Sequence, residues 1–418
     1  MARQLCIVLF SIAAISAHSP LVKTARAATP LNDLGSGLYL NAFQGGLYPN
    51  GSNAVPAPHA AEGIARALAV QPLNTLGEPA ADGKYVLVSI GMSNTTQEFC
   101  SRAQGSCQPF SFMGQAATHP AVDHTSLVIV DGAAGGKSAA YWDSPTDPDY
   151  DRIVDQILAP NGLSEQQVQA AWVKVANPGP TISLPNANAD AYRLVEQMGD
   201  IARALKVRFP NLQQVLFSSR IYAGYATTNL NPEPYAYESG LAVKWLVEAQ
   251  INQMNGGGID PRAGDLDYST GVAPWIAWGP YLWADGLNPR SDGLIWERSD
   301  LANDGTHPSN AGREKVATML LDFMLNSAFS QSWFRSRPPG DFNDDGAVDA
   351  ADYAAWRKGL GTTYSADHYS LWRAGFGQAV LGSGADAAVV PEPHVAAVCG
   401  LALTSLFGMR RIRCAFST

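Results

Sequence analysis

The sequence predicts a three-layer α/β/α domain built on a mainly parallel sheet, and two kinds of segment support this prediction. Short apolar segments, typical of buried strands, cover residues 85–90, 126–130, 172–175 and 215–217. Longer segments with apolar residues at helical spacing cover residues 189–208 and 315–325. Strand, loop and helix in repetition indicate parallel strands with helices on both faces of the sheet.

The composition is that of a globular chain, and its charge argues against one class of partner. Of the 418 residues, 46% are hydrophobic and 16% are charged, and the formal net charge is −9. The part predicted to fold contains no cluster of Lys and Arg. Binding to nucleic acid or to an anionic membrane needs such residues to neutralise phosphates, so we expect no nucleic-acid partner.

Changes in composition divide the chain into six segments. They are a signal peptide (1–27), the α/β domain (28–335), a Pro/Gly/Arg linker (336–340), a small module (341–378), a Gly/Ala-rich flexible linker (379–390) and a sorting segment (391–418).

The first segment has the features of a secretory signal. Arg3 precedes an apolar run over residues 5–17, and an Ala-Arg-Ala cleavage site ends at Ala27. The apolar run is too short to span a bilayer as a mature helix. A buried N-terminal helix is the alternative. The pattern predicts an exported protein whose mature chain begins at Ala28.

The last segment begins with a Pro-Glu-Pro motif at residues 391–393. An apolar stretch over residues 395–409 and a tail with Arg410, Arg411 and Arg413 follow it. This order resembles PEP-CTERM sorting signals, and the resemblance implies processing by an exosortase and delivery to the cell surface, the outer envelope or the medium. A permanent anchor is the alternative, for which the apolar stretch is short.

The cysteines also fit export. Cys6, Cys399 and Cys414 lie in the two terminal segments, so Cys100 and Cys107 remain if both ends are removed. They are close in sequence, and in an oxidising compartment we expect them to form a disulfide. Two free thiols are the alternative.

Small and polar residues follow the predicted strands. Ser93 follows the first strand, Gly136 follows the second, and Asn177 follows the third. Asp304 and His307 lie near the end of the domain, before its last predicted helix. Because ligands of such sheets lie at the carboxyl ends of the strands, we expect these residues to share one site.

We call the segments around Ser93, Gly136, Asn177 and Asp304 with His307 the four blocks. In this order, the blocks resemble those of the SGNH or GDSL hydrolases over nearly the whole domain, which implies a flavodoxin-like sheet. The resemblance implies that Ser93 is the nucleophile, His307 is its base and then the acid, and Asp304 orients the imidazole. It also implies an oxyanion hole formed by the N–H groups of Ser93 and Gly136 and by the Asn177 amide. No cofactor is expected in this site.

Two positions depart from the commonest family pattern. Met92 makes the first block Gly-Met-Ser-Asn, which is nearer the Gly-Gln-Ser-Asn of sialate-O-acetylesterase-like members, and Pro178 follows the Asn of the third block. The first departure favours a carbohydrate O-acetyl ester as substrate. A lipase or thioesterase, or a non-catalytic glycan-binding surface protein, are the alternatives. In a non-catalytic protein, Asp304 and His307 would lie in a surface turn that caps the next helix.

Four residues are candidates for binding the substrate. Arg220 and Tyr222 follow the fourth predicted strand, and Trp278 and Trp283 lie in an aromatic-rich segment before the last block. Aromatic faces stack on sugar rings, and Arg220 is suited to hydroxyls or carboxylates. Packing in the core is the commoner fate of aromatic side chains and is the alternative.

The small module begins with a loop that has the EF-hand spacing. Its expected calcium ligands are Asp341, Asn343, Asp345, the carbonyl of Ala347, Asp349 and Asp352. The loop resembles those of dockerins, and a Trp-Arg helix segment at 356–361 recurs at 372–377. Only the first segment follows an intact loop. The resemblance implies bound Ca²⁺ and a cohesin-like partner, and a calcium-stabilised spacer is the alternative.

Overall fold

A computed structural model describes residues 28–338, 340–343, 345–360, 364, 366 and 368–379. The predicted signal peptide and sorting segment lie outside the described residues, as do Cys6, Cys399 and Cys414. Contacts along the chain divide it into two compact units, Met1–Ser336 and Arg337–Thr418. Each unit is described by itself below.

The first unit contains a five-stranded parallel sheet and a short hairpin. The hairpin strands are β1 (Leu38–Tyr39) and β2 (Phe43–Gln44). The sheet strands are β3 (Tyr85–Gly91), β4 (Leu127–Asp131), β5 (Val168–Lys174), β6 (Gln214–Phe217) and β7 (Trp275–Trp278). Their order in the sheet is β4-β3-β5-β6-β7, which is the doubly wound, flavodoxin-like order.

This order places a topological switch between β3 and β5. The chain runs outward from β3 to β4 and then crosses back over β3 to form β5. The loops that leave β3 and β5 therefore diverge at the carboxyl edge of the sheet, where doubly wound folds hold their ligands. Ser93 and Asn177 follow these two strands.

All seven residues of β3 and all seven of β5 are buried. Successive side chains of a strand point to opposite faces of the sheet, so a strand that is buried throughout must be covered on both faces. The apolar runs of the sequence are continuous for this reason. The predicted α/β/α arrangement with a mainly parallel sheet is confirmed.

Nine helices of the first unit lie in the described residues. They are α1 (Leu31–Leu34), α2 (Ala57–Ala69), α3 (Ser93–Phe99), α4 (Phe112–Ala116), α5 (Pro148–Ile153), α6 (Asp190–Arg208), α7 (Tyr235–Met254), α8 (Asn310–Asn326) and α9 (Gln331–Phe334). Helix α6 packs on α7, and α8 packs on α3 and α4. In the part of the chain that the structure describes, no helix is long and apolar enough to cross a membrane.

A strand of the main sheet and the longest described helix are among the elements that were not expected from the sequence. The fifth strand, β7, contains Trp275 and Trp278, which the sequence analysis assigned to an aromatic-rich segment. Helix α7 is 20 residues long, and 14 of its residues are buried. A helix that is covered on most sides lacks the polar face that makes amphipathic helices easy to recognise.

The second unit contains α10 (Ala350–Gly359) and α11 (His368–Gly375). Asp349 caps α10, because its carboxylate accepts a hydrogen bond from the N–H of Ala351 at 2.7 Å. The two helices meet through aromatic rings, of which Tyr353 and Trp372 lie 5.1 Å apart between centroids.

Candidate active site

The turn before α8 places His307 against Ser93. Ser93 Oγ lies 2.8 Å from His307 Nε2, and His307 Nδ1 lies 2.6 Å from Asp304 Oδ2. Hydroxyl, imidazole and carboxylate thus stand in the order that activation of a serine needs. With its proton on Nδ1 and facing Asp304, His307 has Nε2 available to accept the proton of Ser93.

The Asp304 carboxylate is held in an ionised form by its hydrogen bonds. Partial burial raises its pKa, but His307 and the backbone N–H groups of Thr306 and His307 donate hydrogen bonds that outweigh this effect. The two backbone hydrogen bonds are 3.0 Å long. The pKa of Asp304 therefore lies below its usual value, and the charge that orients the imidazole persists in mildly acidic solution.

Gly305 allows the turn to pass very close to a neighbouring loop. Its φ is +64°, and a Cβ at this position would lie 1.9 Å from the carbonyl oxygen of Tyr225. The same loop is tied to the turn by the N–H of Thr227, which donates to the Asp304 carbonyl at 2.9 Å. The position of Asp304 and His307 thus depends on a residue without a side chain.

We expect Gly305→Ala to destabilise the protein more than an alanine at a comparable glycine. Gly293 has a φ of +86° and no atom within 4 Å of an added Cβ, so Gly293→Ala is the matched control. The control carries only the left-handed backbone cost of about 1–2 kcal/mol, whereas Gly305→Ala adds a steric clash. Urea denaturation measures both, and equal losses would contradict this account of the turn.

Ser93 lies just after β3 and is the first residue of α3. Gly91 precedes it by two residues, and a Cβ there would lie 2.2 Å from the carbonyl oxygen of Lys174 at the end of β5. Thr95 Oγ1 donates to this same carbonyl oxygen at 2.6 Å. Asn94 Nδ2 donates to the carbonyl of Thr306 at 3.0 Å, and this hydrogen bond links α3 to the turn that contains His307.

Ser93 and His307 line a cavity of about 310 Å³. Gly136 and Asn177 line the same cavity, so the structure brings all five residues of the predicted triad and oxyanion hole to one place. Asn177 is nearly buried, and its Nδ2 donates to the carbonyl of Asp190 at 3.2 Å. This hydrogen bond fixes the amide plane, and the second hydrogen of Nδ2 is the one that a ligand can accept.

The cavity lining also includes residues that the sequence did not suggest, among them Ser138, Leu230 and Asn231. Asn231 Nδ2 donates to the carbonyl of Asn177 at 3.3 Å, and its own φ is +64°. A positive φ at asparagine is a known preference, but the sequence alone does not show which of many asparagines adopts it. These residues had no recognisable signal.

A buried ion pair joins α3 to the sheet. Lys174 Nζ donates to Glu98 Oε1 at 2.5 Å and also contacts Oε2, and both side chains are fully buried. Burial raises the pKa of Glu98, although Lys174 opposes this shift. Burial also lowers the pKa of Lys174 to about 8. The pair joins α3 to the end of β5 and was not predicted.

The predicted substrate residues go to different places. Arg220 lines the catalytic cavity and is 1% exposed. Tyr222 and Trp283 line a second cavity, of about 380 Å³. One loop contributes to the walls of both cavities, because Asn231 lines the first cavity and Pro232 lines the second.

Trp278 departs from the expectation of a substrate contact. It is 2% exposed in β7, and its Nε1 donates to the carbonyl of Leu47 at 2.7 Å. It belongs to the main hydrophobic core and does not line the catalytic cavity. A strand with both faces covered places its tryptophans inside, which is the reason for the correction.

Cys100 and Cys107 are joined by a disulfide in the structure. The bridge closes the loop that follows α3, because Cys100 is the residue directly after that helix. The loop also begins with Ser101, whose Oγ accepts a hydrogen bond from Arg313 Nη1 of α8 at 3.0 Å. The disulfide therefore constrains the loop that follows α3.

The loop that begins the second unit carries oxygen donors only, which suits Ca²⁺. Asp341 Oδ2 accepts from the N–H of Gly346 at 2.9 Å, and Asp352 Oδ1 accepts from the N–H of Phe342 at 2.7 Å. These bonds fold the chain into a compact loop. No three His, Cys, Asp or Glu side chains gather as a metal site among the residues described.

Comparison with known proteins gives no family. No protein-family model and no curated protein matches the sequence. A carbohydrate esterase family 2 enzyme with a carbohydrate-binding domain from Corynascus thermopiles (Myceliophthora fergusii) matches with a TM-score of 0.32 and 12% identity. The match covers 58% of this chain and 66% of that chain, just under two thirds of its length.

Two further solved structures give similar values. A protein from Arabidopsis thaliana has a TM-score of 0.33 and 12% identity, over 58% of this chain and 98% of that chain. The salicylyl-acyltransferase SsfX3 from a tetracycline biosynthetic pathway has a TM-score of 0.30 and 11% identity, over 58% of this chain and 54% of that chain. At these values the similarities assign neither a family nor an activity.

Proposed function

We propose that this chain is an exported serine esterase of the SGNH type that removes an O-acetyl group from a carbohydrate. The observation that carries the proposal is the chain of short contacts from Ser93 Oγ through His307 to Asp304. Ser93 and His307 line a cavity at the carboxyl edge of the sheet, and Gly136 and Asn177 line the same cavity.

The proposed reaction has two steps. His307 Nε2 takes the proton of Ser93 as Oγ attacks the ester carbonyl, and the N–H groups of Ser93 and Gly136 with the Asn177 amide receive the oxyanion. His307 then gives the proton to the leaving alcohol, and an acetyl-Ser93 intermediate remains. Water activated by His307 attacks this intermediate, releases acetate and restores Ser93.

The small size of the cavity supports a short acyl group. At about 310 Å³ the cavity is at the lower end of the range for ligand sites, and its apolar wall includes Pro178 and Leu230. A long acyl chain would need a deeper apolar channel. The resemblance of the Gly-Met-Ser-Asn block to the Gly-Gln-Ser-Asn of sialate-O-acetylesterase-like members also supports an acetyl ester.

The test is hydrolysis of 4-nitrophenyl acetate, butanoate and octanoate, together with an acetylated sugar. We expect acetate to be the best acyl group and Ser93→Ala to remove the activity. Ser269→Ala, at an exposed serine that does not line the cavity, is the control. If no ester is turned over, while a glycan binds equally to the native protein and to Ser93→Ala, the protein is a binding module. A preference for octanoate would make it a lipase.

We also propose that the loop from Asp341 to Asp352 binds Ca²⁺ through the six expected ligands. We expect Ca²⁺, added to the full chain at 100 times its dissociation constant, to stabilise the second unit by about 2.7 kcal/mol. Asp345→Ala should abolish the effect, and Asp322→Ala, an acidic residue of α8, should not. Calorimetric titration with Ca²⁺ measures binding, and binding that survives Asp345→Ala would contradict this ligand set.

Export is proposed from the two terminal signals, with exosortase-type processing and, through the small module, a cohesin-like partner. A disulfide between Cys100 and Cys107 is compatible with an oxidising compartment. Sequencing of the mature N-terminus should begin at Ala28. A mature chain that still begins at residue 1 or 2 would contradict the signal peptide.

A further inference from the structure

Arg220 is a buried cation, and two of its three guanidinium nitrogens are buried without a hydrogen-bond partner in the described part of the chain. The residue is 1% exposed, and within the described part of the chain its Nε and Nη2 have no hydrogen-bond partner. A guanidinium has five N–H donors, and leaving buried charged donors unpaired is costly. The backbone N–H of Arg220 donates to Ser239 Oγ at 3.2 Å, so the residue itself is fixed in place.

The neighbouring carboxylates do not take up these donors. Glu98, Glu233 and Asp304 lie near enough to attract the Arg220 charge. Each is already engaged elsewhere: Glu98 with Lys174, and Asp304 with His307. Glu233 accepts hydrogen bonds from Trp283 Nε1 and from the N–H groups of two backbone positions. Lys174 repels the guanidinium.

The open side of Arg220 is the catalytic cavity. Arg220 lines it together with Ser93 and His307, and the described lining residues include no other Arg or Lys and no Asp or Glu. The wall of the cavity therefore offers one formal positive charge and no carboxylate. A ligand that enters beside Ser93 is the partner that can satisfy this guanidinium.

We infer that Arg220 binds a carboxylate carried by the alcohol part of the ester substrate. The inference rests on the proposed esterase function and specifies the class of substrate: an anionic ester. The planar fork of a guanidinium matches the two oxygens of a carboxylate, whereas a hydroxyl offers a single acceptor atom. Binding at Arg220 would hold the ester next to Ser93 and His307.

The test compares matched pairs of charged and neutral esters. For the alcohol side, the pair is 3-acetoxybenzoate and 3-acetoxybenzamide. For the acyl side, the pair is mono-4-nitrophenyl glutarate and 4-nitrophenyl butanoate. We expect kcat/KM of the native full chain to favour 3-acetoxybenzoate over 3-acetoxybenzamide by about tenfold, mainly through KM. No preference in the alcohol-side pair, or a preference confined to the acyl-side pair, would overturn the inference while leaving the esterase function intact.

Substitutions then assign the preference to Arg220. Arg220→Gln should reduce the charged-to-neutral ratio toward one, and Arg220→Lys, which keeps the charge without the fork, should give an intermediate ratio. Arg262→Gln removes the same charge from an exposed position outside the cavity and should leave the ratio unchanged. A loss of equal size for both members of each pair would overturn the inference, because it would indicate a role in the oxyanion hole or in folding.

A binding measurement separates failure of this inference from failure of the esterase function. If the native protein hydrolyses no ester, the esterase function fails, and calorimetric titration with 3-acetoxybenzoate and 3-acetoxybenzamide still tests the carboxylate site. We expect only the benzoate to bind, with binding weakened by Arg220→Gln. Equal binding of the two compounds, or of neither, would overturn the assignment to Arg220.

Discussion

We expect the replacement of Ser93 or His307 by alanine to lower kcat by on the order of 10⁴- to 10⁶-fold, and the replacement of both to lower it no further. The two residues act as a unit, because the 2.8 Å contact between Ser93 Oγ and His307 Nε2 matters only when both atoms are present. The residual rate then comes from the oxyanion donors and from binding.

The measurement is hydrolysis of the preferred acetyl ester by the two single variants and the double variant. Gly293→Ala, which lies outside the cavity, controls for general effects of substitution. If the loss in the double variant equals the product of the two single losses, Ser93 and His307 act independently, and the proposed proton transfer between them is wrong.

We expect that breaking the buried pair of Glu98 and Lys174 costs about 3–5 kcal/mol of unfolding free energy, whichever partner is removed. The cost arises because one charge stays fully buried without its partner. Glu98→Gln should be the worse change, since it leaves Lys174 and Arg220 as neighbouring buried cations. Lys174→Met leaves Glu98 with the attraction of Arg220.

The double variant Glu98→Leu, Lys174→Met should recover most of the loss, because replacing a whole buried pair by apolar residues of similar volume is often neutral. The matched surface pair is Arg203 with Asp200, whose disruption by Asp200→Asn should cost at most about 1 kcal/mol. Urea denaturation measures all four proteins. A double variant as unstable as Glu98→Gln would show that the pair does not explain the loss.

The sequence was informative about the sheet where its strands are continuous apolar runs. Strands β3 to β6 were predicted within a few residues because each is a mainly apolar run, and every residue of β3 and β5 is buried. Strand β7 was missed because it is four residues long and begins and ends with tryptophan. Length and composition were equally compatible with a surface aromatic cluster.

The candidate site was predictable to the extent that it follows from strand ends. Ser93, Gly136 and Asn177 come after three neighbouring strands, so a parallel sheet must bring them together. The ion pair of Glu98 and Lys174 joins a helix to a strand end 76 residues away. No local pattern announces such a pair, because a charged residue at the end of a strand is usually solvated.

Covalent labelling tests the central claim most directly. The intact chain is treated with a fluorophosphonate, which reacts with serines that an adjacent base activates, and the modified residue is identified by peptide mass spectrometry. The account predicts a single adduct on Ser93 that is absent in His307→Ala. An adduct on another serine, or no adduct under conditions in which a known serine esterase is fully labelled, would contradict it.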